Sequence, residues 1–75
     1  MPDVTIVYCR PCGYEKKARE AAAALKERLA VDARLVPGTG GIFEVKVGSE
    51  IAVKRSKDHF PGTAEIVAAV QRLQN

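Results

Sequence analysis

The pattern of hydrophobic and polar positions divides the chain into six segments. Residues 4–8 are apolar and rich in β-branched side chains, which predicts a buried strand. Residues 33–36, 42–47 and 50–55 predict three further strands, with apolar and polar residues alternating in 42–47 and with Ile51 and Val53 on one face of 50–55. Residues 13–30 and the stretch opened by Pro61, Gly62 and Thr63 carry apolar side chains at spacings of three and four, which predicts two amphipathic helices.

The predicted order of elements is β-α-β-β-β-α. The first strand, helix and second strand form a right-handed crossover unit with parallel strands. The two-residue turn at Gly48 and Ser49 makes the third and fourth strands an antiparallel hairpin. The fold class is therefore α/β (α+β): a thioredoxin-like, four-stranded mixed sheet with two helices. Its 75 residues predict one domain over 1–75, with a short lead-in before the first strand.

Composition and charge narrow the range of functions. The formal net charge is +3, and the basic residues are interleaved with acidic ones, apart from the adjacent pairs Lys16-Lys17 and Lys54-Arg55. A nucleic-acid surface would need denser clustering and more aromatic side chains than this chain offers. No apolar run approaches the roughly 18 residues of a membrane span, and the N-terminus lacks a signal-peptide pattern. We expect a cytoplasmic protein that binds neither nucleic acid nor membrane.

The two cysteines, Cys9 and Cys12, form a CxxC motif between the first strand and the first helix. A disulfide closing so short a loop would stabilise the fold little, and a cytoplasmic CxxC is typically catalytic or metal-binding. We predict that the helix starts near Pro11 or Cys12, since proline is tolerated in a first turn. The helix N-terminus and Arg10, with Lys16 and Lys17 one turn further, would then lower the pKa of at least one thiol.

Other interpretations of these residues remain open at this point. The cysteines could be buried structural residues, or a zinc half-site completed by His59 or by a second copy of the chain. His59 itself fits a surface loop better than a metal ligand or a base. The glycine loop of Gly38, Thr39, Gly40 and Gly41 fits either a turn that needs positive φ angles or a wall beside the thiols.

Three stretches of the sequence resemble the selenoprotein W/T/H-like family of small thioredoxin-like proteins. They are the strand end with CxxC at residues 7–12, the glycine-rich loop running into Ile42-Phe43-Glu44-Val45, and Phe60-Pro61 before the last helix. The resemblance implies thiol-based redox chemistry with glutathione or protein thiols as partners. Selenium-containing members carry selenocysteine at the second motif position. This implies that Cys12 is the reactive centre and Cys9 its partner, whereas ordinary thioredoxin logic makes Cys9 the exposed, attacking thiol.

Two functional hypotheses follow. In the first, the protein is a thiol-disulfide oxidoreductase in cell redox homeostasis, with Cys9 and Cys12 as catalytic residues and Arg10 as the thiolate-stabilising residue. It needs no metal or bound cofactor, and glutathione would be a co-substrate. In the second, the protein is an interaction module that accepts a partner strand at the sheet edge, with binding gated by the thiol state. The sequence leaves the substrate, the electron donor and the oligomeric state open.

Overall fold

The computed structural model describes residues 3–74, so that the first two residues of the lead-in and the final Asn75 of the predicted domain lie outside it. The observed elements follow the predicted order: β1 Val4–Cys9, α1 Glu15–Leu29, β2 Ala33–Gly38, β3 Phe43–Val47, β4 Glu50–Lys54 and α2 Thr63–Gln74. The predicted fold class, two helices with a four-stranded mixed sheet, is confirmed.

The sheet has the strand order β2-β1-β3-β4, which puts β1 in its interior. β1 pairs with β2 in parallel and with β3 antiparallel, and β3 pairs with β4 antiparallel through the predicted hairpin. Gly48 adopts a φ of 62° in that hairpin, a left-handed conformation that glycine reaches at little cost. Because β1 lies inside the sheet, its last residue, Cys9, is held between Gly38 of β2 and Ile42, the residue before β3.

Both helices pack on the same face of the sheet. α1 contacts β1 and β2, α2 contacts β3 and β4, and the two helices contact each other. The side chains buried between these layers come from alternate positions of the two central strands and from one stripe of each helix. They include Ile6, Val45, Leu25 and Val70, each 0% exposed. Burying one such side chain contributes about 1.5–3 kcal/mol, so this face supplies most of the driving force for folding.

The pairing of β4 differs from the sequence-based prediction. Val53 pairs with Val45 and Ile51 pairs with Lys46, so that Ala52 is an extra residue in the strand. Such a bulge reverses the alternation on one side of it. Val53 therefore packs against the core, whereas Ile51 lies on the open face with 46% of its surface exposed. The prediction that these two residues share a face is wrong.

β2 extends two residues beyond its predicted end, through Pro37 and Gly38. It is an edge strand, where proline is tolerated because its nitrogen, which carries no hydrogen, can face away from the neighbouring strand. Pro37 lies opposite Tyr8, and Gly38 lies opposite Cys9. The extension brings the start of the glycine loop against the first cysteine.

Candidate redox site

Cys9 is held inside the sheet by the backbone on both sides. It is the last residue of β1, and its N–H donates to the carbonyl of Ile42 at 2.6 Å. On the other side it lies opposite Gly38 in β2. Only 1% of Cys9 is exposed. Its sulfur therefore belongs to the buried side of the site.

Cys12 lies in the turn between β1 and α1 and is exposed. The Sγ atoms of Cys9 and Cys12 lie at disulfide-bond distance, with the two Cα atoms 5.3 Å apart, inside the range that disulfides require. The turn is held by backbone hydrogen bonds from Gly13 to the Arg10 carbonyl at 3.1 Å and from Tyr14 to the Cys9 carbonyl at 3.3 Å. Reduction of the Cys9–Cys12 disulfide would therefore give one thiol that solvent can reach, Cys12, and one that is buried, Cys9.

The first helix begins later than predicted. α1 starts at Glu15, and Tyr14 is its N-cap residue. Gly13 interrupts the approach with a φ of 81°, a left-handed conformation that cannot belong to a right-handed helix. The start predicted near Pro11 or Cys12 is wrong, and Cys12 precedes the first helical residue by three positions. The N–H groups of Glu15, Lys16 and Lys17, which precede the first helical bond from Ala18 to the Tyr14 carbonyl, still lie at the end of the helix nearest the motif.

The glycine loop is hydrogen-bonded to the motif at both of its ends. Arg10 donates its N–H to the Gly38 carbonyl at 3.1 Å, and Cys9 donates to Ile42, directly after Gly41. Gly40 and Gly41 have φ values of 75° and 77°, which explains glycine at these two positions. Thr39 and Gly40 are exposed. The loop thus adjoins the thiol pair, and the side chain of Arg10 is exposed beside it.

A cationic and aromatic cluster next to the motif was missed by the sequence-based analysis. The rings of Tyr14 and Phe60 meet edge to face with centroids 5.0 Å apart. Lys17 Nζ lies 5.1 Å from the Phe60 centroid, and Arg55 lies 5.7 Å from the Tyr14 centroid. These are favourable cation–π distances. The sequence pointed to this cluster only through Tyr14, one of few aromatic residues in the chain, which lies two residues after Cys12.

His59 lies in the loop before α2 and contacts the carboxylate of Glu65 in that helix. Its Nε2 lies 2.6 Å from Oε1 of Glu65, and 59% of the His59 side chain is exposed. This agrees with the prediction of a surface loop residue. Within residues 3–74 there is no group of three or more His, Cys, Asp or Glu side chains placed to hold a metal ion. In that same part of the chain, neither helix is long and apolar enough to cross a bilayer.

The sheet order, the two helices and the CxxC motif that begins at the end of β1 define a thioredoxin-like protein with a redox-type site. Two solved structures share this fold over almost their whole length. A protein of Bordetella parapertussis superposes with a TM-score of 0.84 at 28% identity, with 96% of each chain covered. A selenoprotein W-related protein of Vibrio cholerae superposes with a TM-score of 0.85 at 24% identity, covering 97% of this chain and 96% of its own.

Residues 3–72 match the Rdx family, and the chain belongs to that family. This confirms the predicted relationship to the selenoprotein W/T/H-like proteins. The chain is also similar to migration and invasion enhancer 1 of Bos taurus and of Mus musculus, at 29% identity over 76 residues in each case. These alignments cover 96% of this chain but 64% of the relatives, so the chain spans less than two thirds of their length.

Proposed function

We propose that the protein is a thiol-disulfide redox protein in which Cys12 is the attacking thiol and Cys9 the resolving one. The observation that carries this assignment is the difference in exposure: Cys12 is open to solvent, whereas Cys9 is 1% exposed. Exchange begins with in-line attack on a substrate disulfide, which requires an accessible sulfur. Cys9, which is buried but lies at disulfide-bond distance from Cys12, can then displace the substrate from Cys12 without itself having to reach the substrate in solvent.

The proposed reaction takes two steps. The Cys12 thiolate attacks a substrate disulfide, forms a mixed disulfide with one sulfur, and releases the other as a thiolate. The Cys9 thiolate then attacks the Cys12 sulfur, releases the second substrate thiolate, and closes the Cys9–Cys12 bond. The substrate gains two electrons, and two molecules of a thiol such as glutathione can reduce the protein again. Protein thiols and glutathione are the proposed partners, and a reducing, cytoplasmic compartment suits this cycle.

Local charge supports Cys12 as the nucleophile. Arg10 is exposed between the two cysteines, and the helix begins three residues beyond Cys12 with Lys16 and Lys17 in its first turn. Cations and unpaired N–H groups favour a thiolate over a thiol. We propose that Arg10 contributes to this stabilisation, and that the exposed loop at Thr39 and Gly40 borders the bound substrate.

Single cysteine variants test the assignment. Cys9→Ser retains the proposed nucleophile but cannot resolve, so it should accumulate one glutathione on Cys12 when mixed with oxidised glutathione. Cys12→Ser leaves only the sheltered thiol and should react far more slowly. Mass spectrometry over time measures both rates. Equal rates, or faster capture by Cys12→Ser, would reverse the assignment of the attacking sulfur.

An interaction module remains the second candidate, because β4 forms an edge of the sheet and Ile51 is 46% exposed there. An extended partner segment could add to this edge through backbone hydrogen bonds. A partner bound equally by the wild type and by the Cys9→Ser/Cys12→Ser double variant would favour this function over the redox one. Binding that depends on the thiol state would instead join the two.

A further inference from the structure

Arg55 links the two backbone segments that flank the thiol pair. It directly follows β4, is half-buried, and its N–H donates to the Phe43 carbonyl at 2.8 Å. Its guanidinium Nη1 donates to the Gly41 carbonyl at 3.2 Å. The same guanidinium lies over the ring of Tyr14 at 5.7 Å. One side chain therefore contacts both the glycine loop and the residue before α1.

Both of these segments are hydrogen-bonded to the backbone of Cys9. Tyr14 donates its N–H to the Cys9 carbonyl, and Cys9 donates its N–H to the carbonyl of Ile42, the residue after Gly41. The Arg55 guanidinium thus connects the two segments that hold the Cys9 backbone, one at its N–H group and one at its carbonyl. A hydrogen bond from a charged donor is stronger than one between neutral groups, and partial burial protects it from screening by salt.

We infer that Arg55 is a positioning residue for the thiol pair, which holds Cys9 in the place from which it closes the disulfide with Cys12. The inference rests on the proposed redox function and deepens it. Arg55 acts on the cysteines indirectly, through the Gly41 carbonyl and the Tyr14 ring. Restraining a reacting group raises its effective concentration toward its partner. Loosening Cys9 should therefore weaken closure of the bridge relative to capture of an external thiol.

Glutathione measures this closure directly. Its thiolate attacks the Cys12 sulfur of the oxidised protein, the Cys9–Cys12 bond breaks, and a Cys12–glutathione disulfide forms. Cys9 leaves as a thiolate and takes up the proton that glutathione gave up. No further oxidant or reductant is needed for this step. At a fixed glutathione concentration, the ratio of bridged to glutathionylated protein reports how well Cys9 is positioned.

The experiment compares this ratio in the full chain with and without the contacts. Arg55→Met keeps a long side chain but removes the donors and the charge. Arg55→Lys keeps a charge and a donor. Lys57→Met is the matched control, since it removes the same charge from an exposed residue two positions away. Samples are quenched with acid and counted by mass spectrometry, and circular dichroism confirms that each variant is folded.

We expect the ratio to fall roughly three- to tenfold in Arg55→Met, since part of the free energy of a charge-assisted hydrogen bond is lost from the closed state. Arg55→Lys should fall less, and Lys57→Met should match the wild type. The inference is overturned if Arg55→Met equals the wild type or if Lys57→Met falls as far. Should Arg55→Met fail to fold, the same two criteria apply to Arg55→Gln, which removes the charge that Arg55→Lys keeps. A wild type that forms neither bridge nor adduct would instead refute the proposed function.

Discussion

Gly13 gives the sharpest test of the local geometry beside Cys12. Its φ is 81°, and a Cβ atom built at this position would meet nothing within 4 Å. Gly13→Ala therefore isolates the backbone penalty from any steric clash. A left-handed conformation costs an ordinary L-residue about 1–2 kcal/mol. The lower entropy of the unfolded chain with alanine returns about 0.4–1 kcal/mol, so the net loss should be close to 1 kcal/mol.

Thermal and urea unfolding measure this loss. For a domain of this size, 1 kcal/mol lowers the Tm by about 4–8 °C. Gly13→Asn is the matched control, because asparagine also carries a Cβ but tolerates the left-handed region better. We expect the order of stability to be wild type, then Asn, then Ala. Stability of Gly13→Ala equal to the wild type would show that the turn does not require a positive φ at this residue, and would refute the account of why α1 begins only at Glu15.

Three further predictions concern the rest of the fold. Leu25→Ala should lower the free energy of unfolding by about 2–5 kcal/mol, because the side chain is fully buried, and a loss under 1 kcal/mol in urea titrations would contradict its place in the core. Ile51→Thr should change stability by less than about 0.5 kcal/mol, since the bulge places Ile51 on the exposed face; a core-like loss in the same titration would show that the alternation is unbroken. The hydrogen bond to Asp32, and then its charge, raise the pKa of Lys26, so that the pair's stabilisation is present at neutral pH and is lost as pH rises above the ordinary lysine value. NMR titration of Lys26 should show that pKa falling in Asp32→Asn, and an unchanged value would refute the pairing.

The order of elements could be predicted because each carries a clear period. The stripe of α1, with Ala18, Ala21 and Leu25 buried, follows helical spacing, and β3 alternates as a half-buried strand should. The family resemblance rested on short motifs at the strand end, in the glycine loop and before α2. These are the features that local sequence specifies.

The features of the structure that differ from the sequence-based predictions depend on tertiary context. Nothing in the periodicity of β4 shows that Ala52 is an extra residue, because a bulge is defined by the partner strand. The delayed start of α1 depends on a positive φ at Gly13, which the sequence pattern does not show. Pro37 and Gly38 have loop-like composition, yet they pair with β1 because β2 lies at an edge. The contacts of Arg55 join residues far apart in sequence, which no local pattern can reveal.

The exposure of the two cysteines was likewise beyond local pattern. From sequence, Cys9 could be an exposed or a buried strand end. In the fold it is 1% exposed, lies opposite Gly38 in β2 and is hydrogen-bonded to Ile42, the residue before β3. The family resemblance favoured Cys12 as the reactive residue on the ground of selenocysteine placement. The structure adds a physical reason for the same choice, which the single cysteine variants can test.

The reduction potential of the Cys9–Cys12 pair decides whether this protein works as a thiol-disulfide redox protein. The protein is equilibrated in glutathione or dithiothreitol buffers of known potential, and the bridged fraction is counted by mass spectrometry after acid quenching. A potential between roughly −270 and −120 mV, the working range of thioredoxin-fold dithiols, is the predicted result. A bridge that never forms under mild oxidant, or one so stable that its potential lies below about −300 mV, would contradict a redox function for this pair.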